Sequence, residues 1–255
     1  MKTCKVIAGA IFFSMMAITA NAQVKKAAPA ANKTTKITAV KAAPAKAPVA
    51  VKEKVKDVPN ASSVRVRITT DSGIMVIKLY DSTPLHRDNF VKLVKAGFYD
   101  SLMFHRVIAG FMIQGGDPNS KNATAGMQLG MGGGDMQRIP AEFRKSMIHK
   151  KGALAAARDG NPQKASSACQ FYIVDGKPIP EVELNMYESN KGIKYTVDQK
   201  EIYKTIGGTP MLDQDYTVFG EMESGMEVIN KIANVSKDGA NRPLGDIRMH
   251  MEIIE

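Results

Sequence analysis

Tryptophan is absent from this chain of 255 residues, cysteine occurs only twice and histidine only four times. The cysteines are Cys4 and Cys169, and Cys4 lies in a segment expected to be removed. No internal disulfide is then available, and the fold must stand on its own core. The histidines, His86, His105, His149 and His250, are scattered, with no HExxH and no paired Cys/His spacing, which argues against a metal site. No GxSxG elbow is present, so a serine hydrolase is poorly supported. The glycine run Gly130–Asp135 lacks the GxxxxGK(S/T) pattern and no clear helix follows it, which argues against a phosphate-binding loop. No apolar run reaches the ~20 residues that a membrane span needs.

The N-terminus is rich in other things. Lys2 and Lys5 precede an apolar stretch from Val6 to about Thr19, and Ala20-Asn21-Ala22 supplies a small-x-small cleavage pattern. This reads as a secretory signal peptide over 1–22. Cys4 lies before the apolar run and is misplaced for lipid attachment at a new N-terminus. Residues 23–60 hold ten Ala, four Pro and nine Lys against only Glu53 and Asp57, with no aromatic residue. Such a segment buries too little apolar surface to offset its ordering entropy and reads as a disordered Ala/Pro/Lys-rich linker. The chain's net charge of +10 is concentrated here, because 61–255 carries 24 basic and 23 acidic residues. A nucleic-acid-binding domain would carry its basic patch on the fold, so no nucleic-acid partner is expected. The tail reads first as a solvated spacer, and second as a weak contact to an anionic envelope surface.

The remaining 61–255 reads as one domain. Val64–Thr70 and Ile74–Tyr80 flank Asp71-Ser72-Gly73 as a hairpin. Thr83 and Pro84 fit the N-cap and first position of a helix that stops near Gly97. Phe104–Asp117, "FHRVIAGFMIQGGD", reads as strand-turn-strand, and 119–135 as a long loop. Gly152–Ala157, Gln170–Val174 and Thr217–Glu221 are short apolar runs, and Ile247–Ile253 alternates as a half-buried strand. Ser224–Glu227 has a capping-box pattern that would open a second helix. Residues 175–210 break this rhythm as a helical insertion, with Pro180–Ser189 helical in composition and a further capping box at Thr196–Gln199. Many short strands with two regular helices predict a mainly β fold, a closed antiparallel barrel flanked by helices.

The Phe104–Asp117 stretch sets a histidine and an arginine inside an apolar run. Read plainly, His105 is a packed histidine satisfied by backbone groups. Arg106 fits an ion pair to an acid such as Asp117 or a functional cation. The stretch resembles the signature of the cyclophilin-type peptidyl-prolyl cis-trans isomerases, departing from it at Ala109, where proline is usual. "GALAAAR" (Gly152–Arg158), "SACQFYIV" (Ser167–Val174) and "LDQDYTVFGEM" (Leu212–Met222) resemble further motifs of that family, in order, over about 64–255 apart from the insertion.

The resemblance implies an eight-stranded barrel capped by two helices and an enzyme without cofactor or metal. It would rotate X–Pro bonds of unfolded or proline-containing polypeptides. It implies Arg106 as catalytic cation and Gln114 as a donor to the peptide backbone that helps orient Arg106. Phe111, Met112, Tyr172 and Leu212 would line the proline pocket, with ordinary core as the alternative for Phe111, Met112 and Leu212. Phe104 and His105 would sit in or beside the groove. Ala157 and Arg158 would border the peptide, and Tyr216 stands where the family usually has histidine. Arg158 replaces a usual asparagine, which adds charge beside the peptide and shifts preference toward acidic flanks. With Met211 where many relatives carry tryptophan, cyclosporin binding is expected to be weak.

The chemistry suits these residue types. The barrier of about 20 kcal/mol comes from lost amide resonance, and the twisted prolyl nitrogen becomes pyramidal and basic. A preorganised guanidinium favours that twisted state over both planar ones. The expected whole is a monomeric, periplasmic isomerase that assists the folding of exported proteins. The alternatives are a proline-peptide-binding chaperone module with little turnover, and a tail-mediated structural protein of the envelope.

Overall fold

In the computed structural model, residues 64–254 are described. The expected signal peptide and linker lie outside them. Valine and isoleucine alternating with arginine form β1 (Arg65–Thr70), which turns through Asp71-Ser72 into β2 (Gly73–Leu79), with Thr70 opposite Gly73. The other strands are β3 (Arg106–Ile108), β4 (Met112–Gly115), β5 (Ala153–Ala156), β6 (Phe171–Val174), β7 (Val218–Ser224) and β8 (Met249–Ile254). They form one antiparallel sheet in the order β3-β4-β6-β5-β7-β2-β1-β8.

The sheet is curled into a half-barrel, and the closed barrel expected from the sequence is not shown. Its two ends, β3 and β8, share no ladder. An isolated bridge, Met103–Arg248, joins the segments beside them, and Phe104 N donates to Ile247 O at 3.0 Å. The outer edge of β3 is met instead by a loop, since Val107 N donates to Asn241 O at 2.9 Å.

Period-two alternation divides the side chains of the sheet between two apolar clusters. Val107, Ile113, Leu154, Phe171, Ile173 and Phe219 point into the main core. Met112, Ala153, Ala155, Tyr172, Val174 and Val218 belong to a second, smaller cluster on the opposite face. The main core is closed by α1 (Pro84–Lys95), which buries Phe90, Leu93 and Val94, and by α4 (Met226–Ala233), which buries Val228, Ile229, Ile232 and Ala233. The C-terminus of α1 stops as expected. Gly97 takes φ 65°, Phe98 N donates to Leu93 O and Gly97 N to Val94 O, which is a Schellman closure.

Both helix starts differ from expectation. Thr83 is the N-cap residue of α1, but its hydroxyl bonds Tyr80 O. The free amides of the first turn are met by Glu142, whose carboxylate accepts from Leu85 N at 3.3 Å and His86 N at 3.0 Å. Glu142 also accepts from His86 Nδ1 at 2.7 Å, while His86 Nε2 lies 3.0 Å from Ser166 Oγ. At α4 the capping box is not made. Ser224 is held in β7 opposite Val76, so the helix starts after Gly225, which takes φ 90° with no side-chain cap. A Cβ there would stand 2.4 Å from Ile74 O.

The insertion forms α2 (Glu181–Lys191) and α3 (Val197–Thr205), the latter opened by the expected Thr196/Gln199 capping box. Ile179, Leu184 and Tyr203 bury against Ile148 of the main domain in a third apolar cluster. Among the described residues, no helix is long and apolar enough to cross a membrane.

Candidate active site

Strand register assembles the site. Arg106 pairs with Gln114 across β3–β4, Gln114 with Tyr172 across β4–β6, and Tyr172 with Ala155 across β6–β5. One row across four strands thus sets a cation, an amide and an aromatic ring side by side. Met112 lies one pleat along β4 and opens the apolar part of the same face.

These side chains meet in a pocket of about 110 Å³ lined by Arg106, Phe111, Met112, Gln114, Ala157, Arg158, Tyr172, Leu212 and Tyr216. Its wall joins the second cluster, against which Phe111, Leu212 and Tyr216 rest partly buried. Gly110 at φ 71° turns the chain between β3 and β4 and presents Phe111, whose amide donates to Ile108 O at 3.0 Å. Arg106 Nη1 donates to Gln114 Oε1 at 3.2 Å. Gln114 Nε2 donates to Gln170 Oε1 at 3.1 Å, and Gln170 Nε2 donates to the carbonyls of Gly130 and Gly132. Each amide is therefore oriented by the next, and Gln114 turns its oxygen toward Arg106.

The Arg106–Asp117 ion pair open in the sequence is not formed. Asp117 accepts from Asn119 N, capping the short 3-10 turn Pro118–Ser120, and from Gly130 N. Arg106 has no carboxylate partner among the described residues. Arg158 is fixed on the other side of the pocket. It donates to Asp215 O at 2.8 Å and Asp159 O at 3.0 Å, and its guanidinium lies 4.6 Å from the centre of the Tyr216 ring.

Two residues expected in or beside the groove do not line the pocket. Phe104 is a core residue, 1 % exposed, with its ring edge-on to Phe171 at 6.1 Å. It lies before β3, outside the alternation that sets Arg106 on the pocket face and Val107 in the core. His105 is also buried and does not line the pocket. Neither of its ring nitrogens has a well-aligned hydrogen-bond partner among the described residues, although the Met103 backbone lies near enough to favour the charged ring.

Burial drives the His105 pKa down to about 4, partly offset by the nearby Asp117 carboxylate. The folded state therefore refuses a proton that the unfolded chain accepts near pH 6.5. The stability this confers is complete above pH 6.5 and is lost as pH falls through 4, about 3 kcal/mol in all. Urea midpoints measured across that window should fall more steeply for the wild type than for His105→Gln, and parallel slopes would refute the assignment.

Three polar residues of the neighbourhood escaped the sequence reading. Gln170 orients Gln114. His149, which reads as part of a basic loop, is fully buried, and Asp213 is 2 % exposed beside Leu212. Next to the pocket, a larger cleft of about 390 Å³ is lined by Gln114, Gln170, Arg138, Asp159 and the Gly130–Gly134 loop. Among the described residues, no group of three or more His, Cys, Asp or Glu side chains could hold a metal ion.

Known proteins resemble this chain. The family model for cyclophilin type peptidyl-prolyl cis-trans isomerases matches residues 65–253. A Staphylococcus saprophyticus protein assigned as a peptidyl-prolyl cis-trans isomerase is 36% identical over 200 residues, covering 77% of this chain and 94% of that protein. A Staphylococcus aureus protein with the same assignment is 36% identical over 187 residues, covering 72% and 88%. The crystal structure of a Cryptosporidium parvum cyclophilin type peptidyl-prolyl cis-trans isomerase aligns with a TM-score of 0.55 at 23% identity. It covers 76% of this chain and 98% of its own, a likeness of fold.

Proposed function

Because the chain belongs to the cyclophilin-type peptidyl-prolyl cis-trans isomerases, we propose that Arg106 carries its catalysis by holding the twisted X–Pro amide over the apolar pocket. One observation carries this reading. An arginine with no carboxylate partner among the described residues, oriented by Gln114, borders a pocket walled by Phe111, Met112, Tyr172 and Leu212. The proline ring would enter the apolar part. The guanidinium would donate to the prolyl nitrogen as it becomes pyramidal, or hold the preceding carbonyl. Both contacts strengthen as amide resonance is lost, so they lower the barrier more than they tighten ground-state binding. Gln114, beside Arg106 in the row, would donate its second amide hydrogen to the peptide backbone.

The same reading extends to where the enzyme works. A leader over 1–22 and a lysine-rich spacer over 23–60 suit an exported domain that acts, as a monomer, on unfolded proline-containing polypeptides in the periplasm. The spacer's charge would give it weak contact with an anionic envelope surface.

Cis-to-trans relaxation of a proline tetrapeptide tests the activity. Uncatalysed, it takes tens to hundreds of seconds at about 25 °C, and the protein should shorten it in proportion to its concentration. Peptide binding without any acceleration would reassign the chain as a chaperone module that holds proline segments.

A further inference from the structure

We propose that Asp213 and His149 are positioning residues for the proline pocket, and that the 175–210 insertion sets the pocket's aromatic wall through them. The proposal rests on the isomerase reading of the pocket. No residue of 175–210 lines that pocket, so any influence of the insertion must be relayed.

The relay is continuous. Tyr195 and Tyr203, both from the insertion, donate to Asp213 Oδ2 at 2.7 and 2.6 Å. Asp213 Oδ1 accepts from the backbone N of His149 at 2.8 Å and from its Nδ1 at 2.7 Å. His149 Nε2 lies 2.9 Å from the hydroxyl of Tyr172, and the two rings are nearly parallel, 13° apart. Tyr172 in turn meets Tyr216 edge-on at 5.9 Å, and both rings form the pocket wall.

With the His149 ring neutral, one arrangement of protons satisfies this chain. An ionised carboxylate only accepts, so both phenols donate to Asp213 and Nδ1 of His149 carries the ring proton. The bare Nε2 of the neutral ring must then accept, so Tyr172 donates to it. Its hydroxyl is committed away from the pocket, and the tyrosine presents only its ring to a proline. His149 and Tyr203 are fully buried, so water does not compete for these bonds. Removing one phenol from Asp213 leaves a buried carboxylate short of a donor. Its movement would pass through His149 to the Tyr172 ring. Tyr172→Phe removes the hydroxyl that His149 holds, so in that variant the relay would end before the pocket.

That difference is the test. In the full chain, kcat/KM for the proline tetrapeptide is measured for the wild type, Tyr203→Phe, Tyr172→Phe and the double variant. A parallel set with Tyr195→Phe covers a Tyr203 variant that does not fold. Removing an insertion hydroxyl should cost about fivefold or more with Tyr172 present, a coupling typical of one hydrogen-bond network. In the Tyr172→Phe background it should cost less than about 1.5-fold, within the additivity of uncoupled sites. Equal losses in both backgrounds, or no loss in either, would overturn the relay. The ¹⁵N shifts of His149 give an independent reading: a protonated Nδ1 and a bare Nε2 support it, and the opposite tautomer or a doubly protonated ring refutes it. If the wild type shows no turnover, the isomerase reading itself fails, and the same cycle read as tetrapeptide Kd decides the coupling.

Discussion

Arg106→Ala should lower kcat/KM for proline tetrapeptides by about 10²–10³-fold, the usual loss when a single preorganised donor to a transition state is removed. The size follows from the geometry. Gln114 fixes the guanidinium at 3.2 Å and it has no carboxylate partner among the described residues. Little reorganisation is then needed when the amide twists. The loss should fall mainly on kcat, because the apolar wall that holds the proline ring is untouched. Arg106→Lys keeps the charge but not the rigid fork and should retain an intermediate rate. A wild-type rate that survives in Arg106→Ala would remove the arginine from the mechanism. The pocket would then act by excluding water from the peptide bond.

Phe171→Ala should destabilise the fold by about 3–5 kcal/mol. Phe171 is 1 % exposed, and its ring makes edge contacts with Phe90 at 5.7 Å, Tyr99 at 5.6 Å and Phe104 at 6.1 Å. Three rigid rings around one site close poorly over a cavity. For a domain of this size each kcal/mol moves the Tm by about 2–4 °C, so calorimetry should show a fall on the order of 10 °C. Turnover below the new Tm should suffer far less, since Phe171 and Tyr172 point to opposite faces of β6. A fall under about 3 °C, on the order of one kcal/mol, would mean that the surrounding rings collapse into the space, and that this cluster is softer than its geometry implies.

The contrast between those two neighbours marks what was readable in the sequence. Local signals were legible: the alternation of Val66 and Ile68 with arginines, the Thr196/Gln199 capping box, the stop at Gly97. The site residues came from the resemblance of the motifs to a known family, and the structure brings Arg106, Gln114, Tyr172 and their companions around one pocket. What could not be read depends on partners distant in sequence. Glu142 caps a helix 56 residues away from it, and His149 reaches Asp213 over 64. Among Lys145, Lys150 and Lys151, a histidine has every sign of a surface loop. Ser224 misled for a related reason: its capping pattern is local, but pairing with Val76 holds it extended. Phe104 misled because it lies before β3, where that strand's alternation, which would set it on the face of Arg106, does not hold.

The Glu142 carboxylate at the start of α1 has a bearing on how the molecule opens. A helix capped by its own neighbour can unwind a turn at its end while the rest of the protein stays folded. Here the first turn is tied through Glu142 and His86 to Ser166, which itself pairs with Ile139. Fraying that turn means releasing two loops from elsewhere in the chain. The amides of Leu85 and His86 should therefore exchange with solvent deuterium together with the loops around Ile139 and Ser166, as one cooperative unit, although they stand at a helix end where exchange is ordinarily fast.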